Sequence, residues 1–303
     1  MNKLSVVISA FNEEKKIADC LSSIKFADEI ILIDNSSADK TYEVSRKFTT
    51  KIFTRPNNPM LNVNKNFGFT KAAGDWILSL DADEKIPNEL AEEIKSILKI
   101  KNNKINGYWI SRKNIIFGKW IEHTGWYPDH QLRLFRKEKG RFEEKHVHEM
   151  IKLDGESDYL KNPMFHNNYE NINQFLQKTF FIYAPNEADN LIKNSYKFDW
   201  KDSIRFPVKE FLSRFFAREG YKDGLHGLVL SLLMAFYHLV IFVNIWQMER
   251  FKEIEGRDLL QETKNEFQKT NKELLFWFSK EQIGKIKNPI KRSIFRIYKK
   301  ISR

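Results

Sequence analysis

The sequence predicts an α/β fold: a mostly parallel central sheet in the N-terminal half, followed by a helical C-terminal appendage that associates with membrane. Three observations carry this. Apolar runs of strand length alternate with segments of helical spacing from Leu4 to Leu98. Three of those runs end in acidic turns, at Glu13, at Asp34, and at Asp81 with Asp83. Charge is uneven: of a formal +11, the last 24 residues hold nine Lys/Arg against one Glu, which leaves +3 over residues 1–279.

The elements follow in order. Leu4–Ser9 is a short β-rich run, closed by the polar turn Ala10–Glu13. Ile17, Cys20, Leu21 and Ile24 keep helical spacing. Glu29–Ile33 is the second run and ends at Asp34-Asn35-Ser36-Ser37; Asp39 then caps or opens a helix reaching Phe48. Lys51–Thr54 is a third strand. Asn62–Ala73 reads as a helix ended by Gly74. Trp76–Leu80 is a fourth, apolar strand that stops at Asp81-Ala82-Asp83-Glu84, and Pro87 starts the helix carrying Leu90, Ile94, Ile97 and Leu98. Asn171–Lys193 is helical, with Pro185 ending or kinking it.

Composition bounds the function. With 42% hydrophobic and 30% charged residues in 303, the chain builds a core. Its single cysteine, Cys20, excludes a disulfide scaffold and multi-cysteine metal sites. The N-terminal apolar run is short and ends in acid, a poor signal peptide, so the N-terminal part is expected to fold in the cytoplasm. No G-x-G-x-x-G follows the first strand and no G-x-x-x-x-G-K-[ST] occurs, which argues against dinucleotide and P-loop chemistry.

The C-terminal half divides into a helical region, 171–250, and a basic tail, 251–303. Gly227–Trp246 has no Asp, Glu, Lys or Arg and is long enough to span a bilayer, yet holds Ser231, His238 and Asn244. A span, a buried core helix and a shallow embedded helix all fit, with one-sided attachment favoured. Arg205, Lys209, Arg214, Arg218 and Lys222 interleave with Phe206, Phe211, Phe215 and Phe216, as suits a headgroup zone. In the tail, Ile290, Ile294, Ile297, Tyr298 and Ile301 form an apolar stripe opposite Lys/Arg. An interfacial helix on anionic lipid has this pattern, and packing of the stripe on the body is the alternative. Nucleic acid is not an expected partner, because no basic stripe with stacking aromatics lies outside the tail.

In parallel sheets ligands bind beyond the carboxyl ends of the strands. Acids there suit a metal and a hydroxyl-rich ligand. Asp81-x-Asp83 offers hard oxygen donors for Mg²⁺ or Mn²⁺ holding a diphosphate. Asp34 accepts hydrogen bonds from a base or ribose, or else caps the next helix.

The stretches SVVISAFNEEKKIADCLSSI, EIILIDNSSADKT, NKNFGFTKAAGDWILSLDADE and RLFRK…HVHE resemble the family-2 glycosyltransferases of GT-A fold, in particular bacterial lipopolysaccharide-core transferases of the beta-1,4-glucosyltransferase type. The resemblance covers residues 1–170, taken as the catalytic domain, and continues more loosely through Gly220–Gly227. It implies an inverting transferase that moves a hexose from a nucleotide-diphosphate sugar, UDP-hexose favoured, to a hydroxyl of a lipid-linked glycan. Phe11, Asn12 and Glu13 would lie along the nucleoside, Asp34 at base or ribose, Lys65 near the nucleotide, and Asp81 and Asp83 at the metal, with Asp83 the direct ligand. Lys65 stands where many relatives carry Arg, and lysine makes no bidentate phosphate contact.

The family's base is the second acid of an E-D pair; this chain offers His148-Glu149 instead, so Glu149 aligns with the base and Asp129 is its rival. His148 or His166 would add a metal or diphosphate contact, His146 lying beside them. Arg133 and Arg136 are acceptor or phosphate candidates, of which strand alternation turns one to the site. Trp109, Trp120 and Trp126 are candidates for stacking on acceptor sugars, Trp109 rather for the core. The expected place is the cytoplasmic face of the inner membrane, peripheral or monotopic. Two other readings stay open: the same fold acting on a polyprenyl phosphate or another cell-surface glycan, and a non-catalytic membrane scaffold.

Overall fold

A computed structural model describes residues 2–58, 61–100, 104–144, 149–256 and 258–285. The chain divides into two units. The first comprises residues up to Trp120 with Trp126–Glu170; the second comprises Ile121–Gly125 and the chain from Asn171 onward. The short segment Ile121–Gly125 therefore groups with the helical unit although it lies within the sequence of the first.

The first unit is built on β1 (Leu4–Ala10), β2 (Glu29–Asp34), β3 (Lys51–Thr54) and β4 (Trp76–Asp81), joined by helices α1 (Ile17–Ser23), α2 (Thr41–Ser45) and α3 (Leu61–Lys71). These four strands are parallel, in the order β3-β2-β1-β4. Leu4, Val6, Ile8, Leu32, Leu78 and Leu80 build the core under α1 and under α4 (Asn88–Leu98), whose Leu90, Ile94 and Leu98 face it. Val7, Ile31, Ile33 and Ile77 point to the opposite face, with Phe69 of α3. Alternating burial on two covered faces gives the continuous apolar runs seen in the sequence.

Past β4 the sheet becomes mixed. β8 (Asp129–Arg136) lies antiparallel between β4 and β6 (Gly107–Ile116), and β12 (Met164–Tyr169) runs parallel to β6. The two-residue β5 (Glu84–Lys85) pairs antiparallel with β12. β7 (Lys119–Trp120) and β11 (Ser157–Tyr159) flank β6, and β9 (Gly140–Arg141) pairs with β10 (Lys152–Leu153).

Two glycines set close approaches. A Cβ on Gly68 would stand 2.5 Å from Val7 Cγ1, so α3 seats on β1 only because residue 68 lacks a side chain. Gly74 follows the helix; its Cβ would meet Lys3 O and Ser5 N at 2.8 Å, and its N–H donates to Ser5 Oγ at 2.9 Å.

The second unit holds α5 (Ile172–Leu176), α6 (Ala184–Lys193), α7 (Asp202–Leu212), α8 (Leu225–Met248) and α9 (Leu259–Lys285). The Asn171 side chain caps α5 by accepting the Gln174 N–H at 3.0 Å. Pro185 does not end the helical run: it sits in the first turn of α6, just after a π-helical stretch, Gln177–Tyr183. The wider π turns accommodate a proline that lacks an N–H. Asp223 is buried and gathers the Ile121–Gly125 segment, accepting from the Glu122 and His123 N–H groups at 3.3 and 2.9 Å and from the Thr124 hydroxyl at 3.1 Å. The tail stripe read from Ile290 to Ile301 lies outside the described residues.

Candidate active site

Register brings the acids to one edge of the first unit. Ala10 pairs with Asp34 and Ser9 with Asp81, so β1, β2 and β4 stop level. Further along the sheet, His166 lies between Asn114 on β6 and Glu84 on β5, and Arg112 of β6 lies opposite Asp129 of β8. Residues far apart in sequence thus come together in neighbouring rows because strands have fixed partners.

The turn after β1 carries the nucleoside candidates. Phe11 is exposed, at 40%. Asn12 adopts a left-handed backbone, φ 54°, and its Oδ1 accepts the Ala38 N–H at 2.8 Å. The Glu13 N–H donates to Thr41 Oγ1 at 2.8 Å. Asp34 is buried and accepts the Ser37 N–H at 3.3 Å, while Asp39 accepts the Thr41 N–H at 2.9 Å, so the start of α2 is served by Asp39. Behind Asp34, Asn64 Nδ2 donates to Asn35 Oδ1 at 2.6 Å and Arg55 Nε to Asn64 Oδ1 at 2.9 Å.

At the end of β4 the acids meet cations. Asp81 Oδ1 pairs with Lys65 Nζ, and Asp81 Oδ2 accepts from Arg133 Nη2 at 2.5 Å. The same Nη2 reaches Glu84 Oε1 at 2.6 Å, and Glu84 Oε2 accepts the Asp81 N–H at 2.9 Å. Glu84 is fully buried, at 0% exposure. A buried carboxylate needs such partners, since an isolated charge there is very costly. Burial pushes the Asp81 carboxyl up, but the Arg133 and Lys65 charges outweigh it and hold it well below the usual carboxylate range. Burial likewise pushes the Arg133 guanidinium down, and Asp81 and Glu84 override that and raise it.

Asp83 and His166 form the second part of the cluster. His166 Nε2 stands 3.6 Å from Asp83 Oδ2, too long for a good hydrogen bond. His166 Nδ1 is 2.6 Å from Asn114 Oδ1, and the Asn167 N–H donates to Asp83 O at 2.9 Å. Burial raises the Asp83 carboxyl, and His166, once protonated, faces it with a positive charge that brings it below its ordinary value. Next to it, Asp129 accepts from Arg112 Nε at 2.9 Å and Nη2 at 2.5 Å, from Asn114 Nδ2 at 3.1 Å and from Gln131 Nε2 at 3.0 Å. Burial pushes Asp129 up, and Arg112 with these hydrogen bonds takes it down.

The donor set, one carboxylate and one imidazole, suits Mn²⁺ better than Mg²⁺, to which imidazole is a poor match. A carboxylate oxygen and an imidazole nitrogen face each other across a gap no hydrogen bond fills, while both oxygens of Asp81 are already engaged. Among the described residues no group of three or more His, Cys, Asp or Glu side chains forms a complete metal cage. Such an ion would be held by one or two side chains and completed by substrate phosphate oxygens.

Of the remaining candidates, Arg133 joins the cluster, whereas Arg136 lies over the Trp76 ring at 4.8 Å. Trp126 packs edge-on against Tyr169, and its carbonyl accepts from Asn114 Nδ2 at 2.6 Å. Trp109 donates to Ser157 Oγ at 3.1 Å. Glu149 Oε2 accepts the Glu144 N–H at 2.8 Å; Glu144 Oε1 in turn accepts from Asn66 at 2.7 Å, next to Lys65. His146 and His148 lie outside the described residues. Glu84, Arg112, Asn114 and Gln131 were not legible as site residues. Glu84 closes the acidic turn already singled out, which was a signal; the others carry none, because only strand pairing brings them in.

Known proteins give the following likenesses. Residues 5–152 match the sequence model described as Glycosyl transferase family 2. An uncharacterized glycosyltransferase of Rickettsia typhi is 28% identical over 249 residues, 78% of this chain and 84% of that protein. The lipopolysaccharide core biosynthesis glycosyltransferase LpsC of Rhizobium meliloti is 23% identical over 256 residues, 82% of this chain and 94% of that protein. Among solved structures, S. aureus TarS aligns with a TM-score of 0.42 at 16% identity, over 74% of this chain and 46% of that one. Glucosyl-3-phosphoglycerate synthase from Mycobacterium tuberculosis, in complex with Mn²⁺ and UDP-glucose, aligns with a TM-score of 0.31 at 21% identity, over 37% of this chain and 44% of that one.

Proposed function

From the match of residues 5–152 to the Glycosyl transferase family 2 model, we propose that the chain is an inverting, metal-dependent hexosyltransferase of GT-A-type fold that moves a hexose from a nucleotide-diphosphate sugar to a hydroxyl of a lipid-linked glycan. UDP-hexose is the first donor to test, and the lipopolysaccharide core is the first acceptor, on the strength of the LpsC likeness. The observation that carries the reading is the facing pair Asp83 and His166 at the end of β4, beside the Lys65–Asp81–Arg133 cluster. When bound, Mg²⁺ or Mn²⁺ offsets charge on the leaving diphosphate.

The chain's own residues do the rest. Lys65 and Arg133 hold Asp81 ionised at the strand end, which keeps the β4 turn in place for the diphosphate. Asp34 and the Phe11–Glu13 turn line up for base and ribose. The acceptor hydroxyl oxygen forms a bond to the anomeric carbon as the bond to the diphosphate breaks, and a carboxylate takes the hydroxyl proton. Glu149 fits that role better than Asp129. All of Asp129's four recorded hydrogen bonds come from donors fixed in the sheet, and Arg112 lowers its basicity.

We also propose attachment to the cytoplasmic face of a membrane along one side of α8. Leu225, Val229, Leu232, Phe236 and Val243 are exposed and fall within an arc of about 60° at 100° per residue. The opposite face is buried, and α7 beside it carries Arg205, Lys209 and Glu210, which do not suit a hydrocarbon core. An in-plane helix satisfies both faces.

Asp83→Ala is expected to remove divalent-dependent release of nucleoside diphosphate from a panel of nucleotide sugars, with the fold intact by circular dichroism. Retained divalent-dependent turnover in that variant would sink the metal assignment.

A further inference from the structure

We infer that Asn114 is the positioning residue of this site: its amide fixes the His166 ring so that Nε2, and not Nδ1, presents its lone pair toward Asp83. The inference rests on the reading of Asp83 and His166 as the cation-holding pair, and assigns a role to a residue that touches neither the ion nor the substrate.

Asn114 is fully buried, so its amide must be satisfied by protein groups. Its Nδ2 donates to the Trp126 carbonyl at 2.6 Å and to Asp129 Oδ2 at 3.1 Å. A carbonyl only accepts, and so does a carboxylate paired with Arg112. Both amide hydrogens are therefore used on one side, and the amide orientation is settled by its surroundings. Oδ1 is turned the other way, to His166 Nδ1 at 2.6 Å and Asn168 Nδ2 at 3.4 Å. An amide oxygen only accepts, so His166 Nδ1 must carry the hydrogen.

In a neutral imidazole the other nitrogen is then bare. Nε2 faces Asp83 Oδ2 at 3.6 Å, a lone pair against a carboxylate. Two acceptors do not bind each other; a cation between them binds both. The ring is held in the ligating tautomer before any ion arrives, as outer-shell partners of ligating histidines do elsewhere. Asn114 also joins the two halves of the site, since the same amide holds His166 on β12 and Asp129 on β8. The three strands bring these residues side by side through the pairings of Asn114 with His166 and of Arg112 with Asp129.

The test reads the tautomer directly. Metal-free full-length protein labelled with ¹⁵N-histidine is examined by long-range ¹H–¹⁵N correlation at alkaline pH, with His166 assigned by loss of its signal in His166→Gln. Wild type is expected to show the Nδ1–H form; an Nε2–H form overturns the inference without any Asn114 variant. Asn114→Leu is expected to shift His166 to Nε2–H and to weaken Mn²⁺ binding, followed by electron paramagnetic resonance of the free ion, by about 10- to 100-fold. Asn114→Gln, which keeps both an amide donor and an acceptor, is expected to hold more of the Nδ1–H form than Asn114→Leu. An unchanged tautomer with unchanged Mn²⁺ affinity in Asn114→Leu overturns it. Full Mn²⁺ binding by Asp83→Ala would instead overturn the cation-site reading, which the tautomer result judges separately.

Discussion

At the scale of residues, the two candidate bases differ in what already holds them. Asp129 is gripped by Arg112, Asn114 and Gln131, a pattern that stabilises the charged form and reduces proton affinity. Glu149 sits on the stretch after β9 that Asn66 ties to α3, through Glu144 at 2.7 Å and the Phe142 N–H and carbonyl at 3.0 and 2.9 Å. Lys65, adjacent to Asn66, is the residue that meets Asp81. Glu149→Gln is expected to lower kcat by about 10²- to 10⁴-fold with little change in donor KM. Asp129→Asn is expected to lower stability more than kcat. Near-normal turnover in the first variant with lost turnover in a folded second would reverse the assignment.

Elements decide how those residues arrive. Gly68 lets α3 press on β1, and one turn earlier Lys65 reaches the end of β4; the sequence shows the glycine, but its purpose appears only where Val7 stands against it. Pro185 shows the converse. Read alone it ends or kinks a helix, whereas the π-helical stretch before it lets the run continue. The apolar helix α8 is long and apolar enough to cross a membrane by length and composition, yet 39% of its most apolar window is buried within the protein. Replacing Leu232 and Phe236 together by Asp is expected to reduce co-sedimentation with anionic liposomes by several-fold while leaving release of nucleoside diphosphate in detergent-free solution unchanged. Wild-type liposome binding by that variant would remove the in-plane attachment. Deleting the tail from residue 286 in parallel separates its share.

For the molecule as a whole, the cluster predicts an acid limb. Asp81, Asp83 and Asp129 all titrate below their ordinary values in the folded state. The unfolded chain therefore binds protons first as pH falls, so the stability these groups contribute is full above the unfolded value of about 3.9 and is lost as pH drops through the lowered folded values. The urea midpoint is expected to fall below about pH 4, with a shallower fall in Asp129→Asn than in wild type; equal slopes would exclude Asp129 from that limb. By itself the sequence determined the α/β alternation, the acidic turns that end the strands, the family likeness and the separation of a nearly neutral machinery from a basic tail. These are local properties, written in apolar period, turn residues and motif spacing. Only the tertiary structure decided which partners each acid has. Glu84 under Arg133, Asp129 in the grip of Arg112, and Asn114 between His166 and Asp129 depend on β8, β6 and β12 lying side by side. Strand order is set by long-range pairing and burial, so no window of the sequence short enough to carry a motif contains it.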